Sequence, residues 1–391
     1  MLLYFHINNM DLQYMLKRKR YLEKISDIYD IFPICGILGP RQCGKTTLAH
    51  QYASSLETPV HHFDLEDPSH FDQLQNPKSL LDPLKGLIII DEIQRSPHIF
   101  PYLRVLADYS DKKIMILGSA SGPLLNQSSE SLAGRIEYLE LAPFSLDEID
   151  NKNQLWSYGG FPKSYLAKNY KASNRWRKAY LSAFIERDLP SLGVQLNMLA
   201  MRQLLMMLAN CHGGLLNYSD LARSLGVTDM TIRRYSEILC STFMIRLLQP
   251  WHENITKRQI KAPKIYFKDS GLLHTLMGLH ETDLLTHHKR GNSFEGFVIE
   301  EIIKHFGSQE DYYFWRTQTG VELDLLMIKG GKRYGFEIKL SDAPQITESM
   351  RIALKDLKLE HLYIINNLDV QYKKEERISV LGIDQLKSAP F

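Results

Sequence analysis

The residues Gly39 to Thr46 read GPRQCGKT and fit the pattern G-x-x-x-x-G-K-[ST] without a mismatch. Each position in that pattern has a mechanical task. Gly39 and Gly44 let the backbone turn tightly and aim its N–H groups at phosphate oxygens. Pro40, Arg41, Gln42 and Cys43 complete the cradle. Lys45 supplies a cation for the β- and γ-phosphates, and the Thr46 hydroxyl can ligate Mg²⁺. The flanks agree: Ile34 to Leu38 is a short apolar strand, and from Thr47 a helix opens whose positive N-terminal end faces the anion. About forty residues on, the apolar run Leu87 to Ile90 ends in Asp91-Glu92. At the carboxyl end of a parallel strand, Asp91 would hold Mg²⁺ and Glu92 would orient and polarise the attacking water. The expected ligands are a nucleoside triphosphate, ATP or GTP, and Mg²⁺.

A third strand, Lys113 to Leu117, runs into Gly118-Ser119-Ala120-Ser121. A hydroxyl at such a strand end can bond the attacking water or the γ-phosphate, so Ser119 and Ser121 are candidate sensors; an ordinary Gly-Ser turn is the alternative. Asp64 and Glu66, beyond the strand His61 to Phe63, read as rim residues. Arg135, in SLAGR, is the foremost candidate for an arginine that reaches a γ-phosphate across a subunit joint, with Arg41, Arg95 and Arg187 as competitors.

The C-terminal part holds a second constellation. The helix Asn292 to Phe306 carries Glu295, and the strands Tyr312 to Arg316, Val321 to Ile328 and Tyr334 to Leu340 follow. Lys329-Gly330-Gly331-Lys332 is a two-residue hairpin connection, and its register sets Asp324 opposite Glu337 and Glu322 opposite Lys339. Strand period puts these four on one face and Leu323, Leu325, Phe336 and Ile338 on the other. Facing carboxylates repel, and a divalent cation would compensate them. Asp324, Glu337 and Lys339 thus form the D…E-x-K arrangement of metal-dependent DNA cleavage. Glu295 would be a further ligand, and Lys339 would activate water or stabilise developing charge. The plainer alternative is an amphipathic hairpin with a wet polar face.

The elements that position these groups are read from composition and period. The 391 residues have room for two to four domains; 44% hydrophobic and 24% charged residues are globular proportions. A net charge of +2 leaves any nucleic-acid surface to be local. Cys35, Cys43, Cys211 and Cys240 show no CxxC spacing, which argues against zinc and a disulfide framework and for a reducing, cytoplasmic compartment. Cys43, inside the loop, would make the site sensitive to oxidation. The opening MLLYF is too short for a signal-peptide core, no apolar run suits a membrane span, and no membrane partner is expected. Met10 is an alternative start ahead of an amphipathic run from Tyr14 to Ile31.

Strands and helices alternate to about residue 150, the α/β signature of a parallel sheet. Helices follow, including Asn174 to Leu189 and the Met-rich run Met198 to Ala209, whose methionines read as core filling. The segment from Leu215 to Leu239 has helix-turn-helix grammar: Ser219 caps a first helix, Gly226 turns, and Thr228 caps a second. Phe243 to Leu248 would be a wing. The second helix offers Thr231, Arg233 and Arg234 to DNA. After Pro250, Lys257, Arg258, Lys261 and Lys264 lie near Trp251, Tyr266 and Phe267, which suits either a phosphate backbone with stacked bases or a solvated linker.

In order along nearly the whole chain, GPRQCGKTTLA, LIIIDEIQ, GSAS, SLAGR, GGFP, IERDL, IYFKDSGLL, FEGFVIEE, WRTQTGVELDLL and FEIKLS resemble the signatures of prokaryotic AAA+ superfamily ATPases of the AAA_14 type fused to a DUF4143-type domain. The resemblance implies a P-loop ATPase core over 1–150, a helical lid over 151–210, a winged helix over 211–255 and a PD-(D/E)xK, restriction-endonuclease-like α/β domain over 256–391. Its motif positions fall on Gly39 to Thr46, Asp91, Glu92, Glu295, Asp324, Glu337 and Lys339. The expectation is an ATP- and Mg²⁺-dependent enzyme that remodels or moves on DNA as a homo-oligomer such as a hexamer, with a metal-dependent nuclease centre. The alternative is a nucleotide-dependent oligomeric switch whose C-terminal domain binds DNA or protein without cutting.

Overall fold

The computed structural model describes residues 16–119, 132–192, 194, 197–253, 258–307 and 310–388. Ser121 and Lys257 lie outside these residues, as do Met10 and Tyr14. The chain forms two units, Met1–Ala142 and Pro143–Phe391.

In the first unit, strands form where apolar runs can be buried on both faces. β1 (Ile34–Leu38), β2 (Val60–Asp64), β3 (Leu87–Asp91), β4 (Lys113–Gly118) and β5 (Ile136–Glu140) build a sheet of order β2-β3-β4-β1-β5. All its neighbours pair parallel, and β1 and β3 are buried at every position. Helix α1 (Lys19–Ile31) turns Ile25, Ile28 and Tyr29 inward at i, i+3, i+4. These join β1, β3, β4 and α2 (Lys45–Ala53) residues in one apolar core. The order matters for chemistry. It lays the carboxyl ends of β1, β4 and β3 side by side, so the phosphate loop, Ser119 and Asp91-Glu92 share one rim.

The second unit begins helically with α3 (Lys152–Tyr158), α4 (Tyr170–Ala183) and α5 (Met198–Asn210). The expected long helix to Leu189 is interrupted by a π turn over Phe184–Asp188. Of the methionines on α5, Met201 is buried while Met198 and Met206 are exposed, so core filling describes only part of that run. Two family-like motifs meet here. Asp269 accepts hydrogen bonds from Gly160 N–H (2.8 Å) and Leu272 N–H (2.9 Å), which ties GGFP to KDSG. The fully buried Arg177 guanidinium donates to Tyr158 O (2.8 Å) and Ser173 Oγ (2.6 Å) beside them.

Helices α6 (Tyr218–Leu225) and α7 (Asp229–Ser241) flank Gly226, which has φ +65. Thr228 caps α7 through Thr231 N–H, as expected, but the cap of α6 is Asn217 rather than Ser219. The strand read as a wing, β6 (Ile245–Leu248), pairs antiparallel with β7 (Lys264–Phe267), across the division drawn at 255. The chain after β6 then runs along the edge strand of the next sheet, with Trp251 N–H donating to Phe314 O at 2.7 Å. Helix α8 (Ser270–Leu276) follows.

The last sheet has order β12-β13-β11-β10-β9-β8, from β8 (Asp311–Arg316), β9 (Glu322–Lys329), β10 (Lys332–Ile338), β11 (His361–Asn366), β12 (Gln371–Glu375) and β13 (Ile378–Gly382). Helix α9 (Arg290–Phe306) precedes it, and α10 (Glu348–Asp356) covers Leu323, Leu326, Leu362 and Ile364 with Met350 and Ala353. The hairpin pairs Lys329 with Lys332 and runs to Leu325 with Phe336. Beyond that point the strict alternation fails. Leu323 and Leu326, three residues apart, share one core, because the β8–β9 register shifts between Tyr313 and Trp315. A bulge of this kind re-aims the side chain beside it, here Asp324.

Candidate functional site

The phosphate loop is built as its sequence implies. Gly44 has φ +102, a conformation that costs glycine little, and opens α2. Lys45, 6% exposed, points its Nζ at Gly39 O (3.0 Å), Pro40 O (3.1 Å) and Ser119 Oγ (3.0 Å). The Ser119 hydroxyl donates onward to Glu92 Oε1 at 3.0 Å. Thr46 Oγ1 donates to Asp91 Oδ2 at 2.5 Å, and Glu92 N–H donates to Asp91 Oδ1 at 2.9 Å. Burial raises the Asp91 carboxyl above its ordinary value, against the pull of the Thr46 bond and Lys45. A cation beside Asp91 would relieve that burial penalty, and the Thr46 hydroxyl and Asp91 carboxylate are hard oxygen donors of the kind Mg²⁺ takes.

One residue here escaped sequence reasoning. Gln94 Nε2 donates to Glu92 Oε2, and its Oε1 is buried with no partner among the described residues. Glu92 itself sits at φ +54, in left-handed backbone that a non-glycine residue adopts at a cost. The run DEIQ contained the signal, but only the short turn Ile93–Arg95 folds Gln94 back toward Glu92.

The rest of the loop is supported from below. Arg41 ion-pairs with Glu66 at 2.5 Å, Gln42 has φ +61, and Thr47 is half-buried. Cys43 is fully buried and burial pushes its thiol up, disfavouring the thiolate that oxidation requires. Burial thus weighs against an oxidation-sensitive loop. Arg18, 4% exposed, donates to Ala142 O (2.9 Å) and Cys43 O (3.4 Å) and braces the loop.

The arginine candidates separate in space. Arg135 precedes β5, and its carbonyl accepts from Ile34 N–H at the amino end of β1. The phosphate loop leaves the other end of β1, about 13 Å away by strand rise, so Arg135 does not serve its own loop. Its guanidinium forks onto Asp108 at 2.6 and 2.8 Å, which holds the Asp108 carboxyl low. Arg95 lies over the Phe71 ring, and Arg187, in the second unit, ion-pairs with Asp188 at 3.6 Å. Asp64 Oδ1 accepts from Glu66 N–H, as a rim turn would.

On α7, Thr231 bonds the Thr228 hydroxyl at 2.9 Å, Arg233 stacks over the Tyr218 ring at 4.2 Å, and Arg234 is exposed. The basic stretch after Pro250 is not a uniform surface. Lys264, Tyr266 and Phe267 are buried in β7, because KIYF is inside at every position. This overturns the solvated-linker and stacked-base readings for those three residues.

Lys264 enters the acid cluster of the C-terminal sheet instead. Its Nζ lies 3.1 Å from Glu295 Oε1 and ion-pairs with Glu322, which also meets Arg316 at 3.3 Å. Tyr266 Oη donates to Glu295 Oε1 at 2.6 Å. This approach is close because α9 carries Gly296 there: a Cβ would come within 2.2 Å of His212 Nε2 and 3.1 Å of the Tyr266 ring. Asp324 Oδ2 accepts from Ile338 N–H at 2.8 Å, and Lys339 pairs with Glu337 at 2.8 Å rather than with Glu322. Burial, then Asp324, pushes Glu295 up to about 7 and Glu337 to about 8. Burial raises Asp324 as well, opposed by Lys264. For Lys264 burial acts downward, but Glu295, Asp324 and Glu322 outweigh it and raise the ammonium.

Glu337 Oε2 is buried without a partner among the described residues, so the Asp324–Glu337 pair keeps an oxygen that suits a divalent cation. Glu295 fits one less well, since Lys264 and Tyr266 both hold its Oε1. Among the described residues no group of three His, Cys, Asp or Glu side chains is gathered as a ligand set. No helix among them is long and apolar enough to cross a membrane.

Comparison with known proteins gives three family matches along the chain. Residues 32–150 match a family described as an AAA domain, residues 149–283 a domain of unknown function (DUF8612), and residues 290–386 another (DUF4143). Uncharacterized proteins of Mycobacterium tuberculosis and Mycobacterium bovis are each 42% identical over 359 residues, covering 90% of this chain and 81% of theirs. A Walker-type ATPase of Pyrococcus abyssi superposes with a TM-score of 0.47 at 15% identity, over 68% of this chain and 96% of that one.

Proposed function

The chain belongs to the family of these mycobacterial proteins and carries a P-loop ATPase domain of the AAA type, and we propose that it couples ATP hydrolysis to work on DNA. One observation carries the hydrolytic part: Lys45 Nζ, Ser119 Oγ and Glu92 Oε1 form a continuous hydrogen-bonded line beside the Thr46–Asp91 pair. The loop N–H groups and Lys45 bind the phosphates. Glu92 accepts a proton from the attacking water, and Ser119 relays between Lys45 and Glu92. Thr46 and Asp91 would hold Mg²⁺, which would supply charge neutralisation at the phosphates. Arg135, at the end of its own sheet opposite the phosphate loop, acts on a neighbouring subunit, which makes the working form a homo-oligomer such as a hexamer.

In this reading 151–210 is a lid, 211–255 a winged helix whose Thr231, Arg233 and Arg234 touch DNA, and 256–391 a nuclease-like domain. Asp324 and Glu337 bind a divalent cation there, and Lys339 stabilises charge on the scissile phosphate. The test is ATP turnover of the full chain with and without single-stranded, duplex and branched DNA. Stimulation by one of them is expected; indifference to all removes DNA from the reading. A second reading, a nucleotide switch without cleavage, draws support from Lys264 inside the acid cluster. Metal-dependent nicking of plasmid that is lost in Asp324→Ala would overturn it.

A further inference from the structure

The acid cluster already contains a cation. Lys264 is 2% exposed, and burying an ammonium is costly unless anions compensate it. It has them in Glu295 and Glu322, with Asp324 acting on it as well. Tyr266, two residues on and therefore on the same side of β7, donates to the Glu295 oxygen that Lys264 holds. Glu295 is thus committed to two donors from one strand. On the other side of the cluster the pattern reverses. Asp324 takes a backbone N–H, Glu337 Oε1 takes Lys339, and Glu337 Oε2, on a side chain 8% exposed, takes nothing among the described residues.

We propose that Lys264 is the resident cation of this cluster: it neutralises Glu295 and Glu322 in place of a metal, and leaves Asp324 and Glu337 as a two-carboxylate site for a single divalent cation. Only the second half rests on the metal-centre reading given above. Glu295 is then a positioning residue rather than a ligand. The cluster is also composite, since Lys264 and Tyr266 come from the region of the first unknown domain and the acids from beyond it.

The experiment uses the full-length, nucleotide-free protein carrying Asp91→Asn, which removes the carboxylate at the phosphate loop. Mn²⁺ is titrated and counted by electron paramagnetic resonance, and stability is read by thermal unfolding. One Mn²⁺ per chain is expected, lost in Glu337→Gln and kept in Glu295→Gln. Lys264→Met, which keeps side-chain volume, should melt several degrees lower. Adding Glu295→Gln to it should restore more than half of that loss, and Mn²⁺ should stabilise Lys264→Met more than its parent. Loss of Mn²⁺ binding in Glu295→Gln would make Glu295 a ligand and overturn the assignment. So would a Lys264→Met variant as stable as its parent, or one that Glu295→Gln fails to rescue. If no variant binds Mn²⁺ while the rescue holds, the metal-centre reading falls and the Lys264 assignment stands.

Discussion

Two ammonium groups, Lys45 and Lys264, stand in sites of similar make-up, yet they are treated in opposite ways. Lys45 is held by two carbonyls and a hydroxyl, neutral acceptors that orient the charge without cancelling it. Lys264 is held by carboxylates, which cancel it. A buried cation whose direct partners are neutral can still take an anion, and a triphosphate supplies one. A cancelled one offers no such opening. The charge of the partners therefore separates a lysine that can still take an anionic ligand from one whose charge is already met.

The comparison can be broken most directly at its first member. Lys45→Ala should abolish nucleotide binding in calorimetry and reduce turnover by ~100-fold or more, since it removes the one charge aimed at the phosphates. Retention of tight binding would mean that the loop amides suffice. Arg135→Ala should keep nucleotide affinity and lose ~10³-fold in turnover, the range for an arginine supplied across a subunit joint. Turnover independent of protein concentration in the parent would contradict that role.

Gln94→Leu should lower kcat about tenfold with KM unchanged, because it frees Glu92 without touching the phosphates. A change in KM alone would assign Gln94 to binding.

The second member has a pH signature. Glu337 is raised from 4.5 to about 8 in the folded chain, so the native state binds more protons than the unfolded state between these values. Stability should accordingly fall as pH rises from 4.5 to 8, and Glu337→Gln should flatten that slope. Thermal unfolding across the window checks the sign, and Mn²⁺ should flatten it too if the proton and the metal compete for one oxygen. Thr228→Ala, outside both centres, sets the scale for a purely structural change: about 1 kcal/mol of lost capping, visible as a shift of a few degrees.

What could be read in the sequence was what the chain decides locally. The phosphate loop is contiguous, and its chemistry is carried by backbone turns and their neighbours, so its residues could be assigned roles from type and spacing alone. The Gly330-Gly331 turn likewise dictates the hairpin register, and Thr228 announces its own helix. Contacts made at a distance were not legible. Lys264 looked like one of a run of surface cations because nothing local shows that β6 and β7 turn it toward α9. The bulge opposite Tyr313 and Trp315 moved Leu323 to the other core, since alternation holds only while the register does. β11 and β13 were missed although HLYIIN and ISVLG are apolar, because no chemical motif drew attention to them. Ser219 yielded its cap to Asn217 two residues earlier, whose side chain accepts from the Ser219 and Asp220 N–H groups.

The short ribbon that brings Lys264 to the acids carries a consequence for how such chains can be rearranged. A graft of residues 290–386 onto a foreign front half would carry Lys339 along with Glu337 but leave behind the ammonium that Glu295 and Glu322 share. The transplanted piece would have to take up protons or metal to survive the journey. Recombination that respects the chemistry must therefore cut upstream of residue 264, so that the counter-charge travels with what it neutralises.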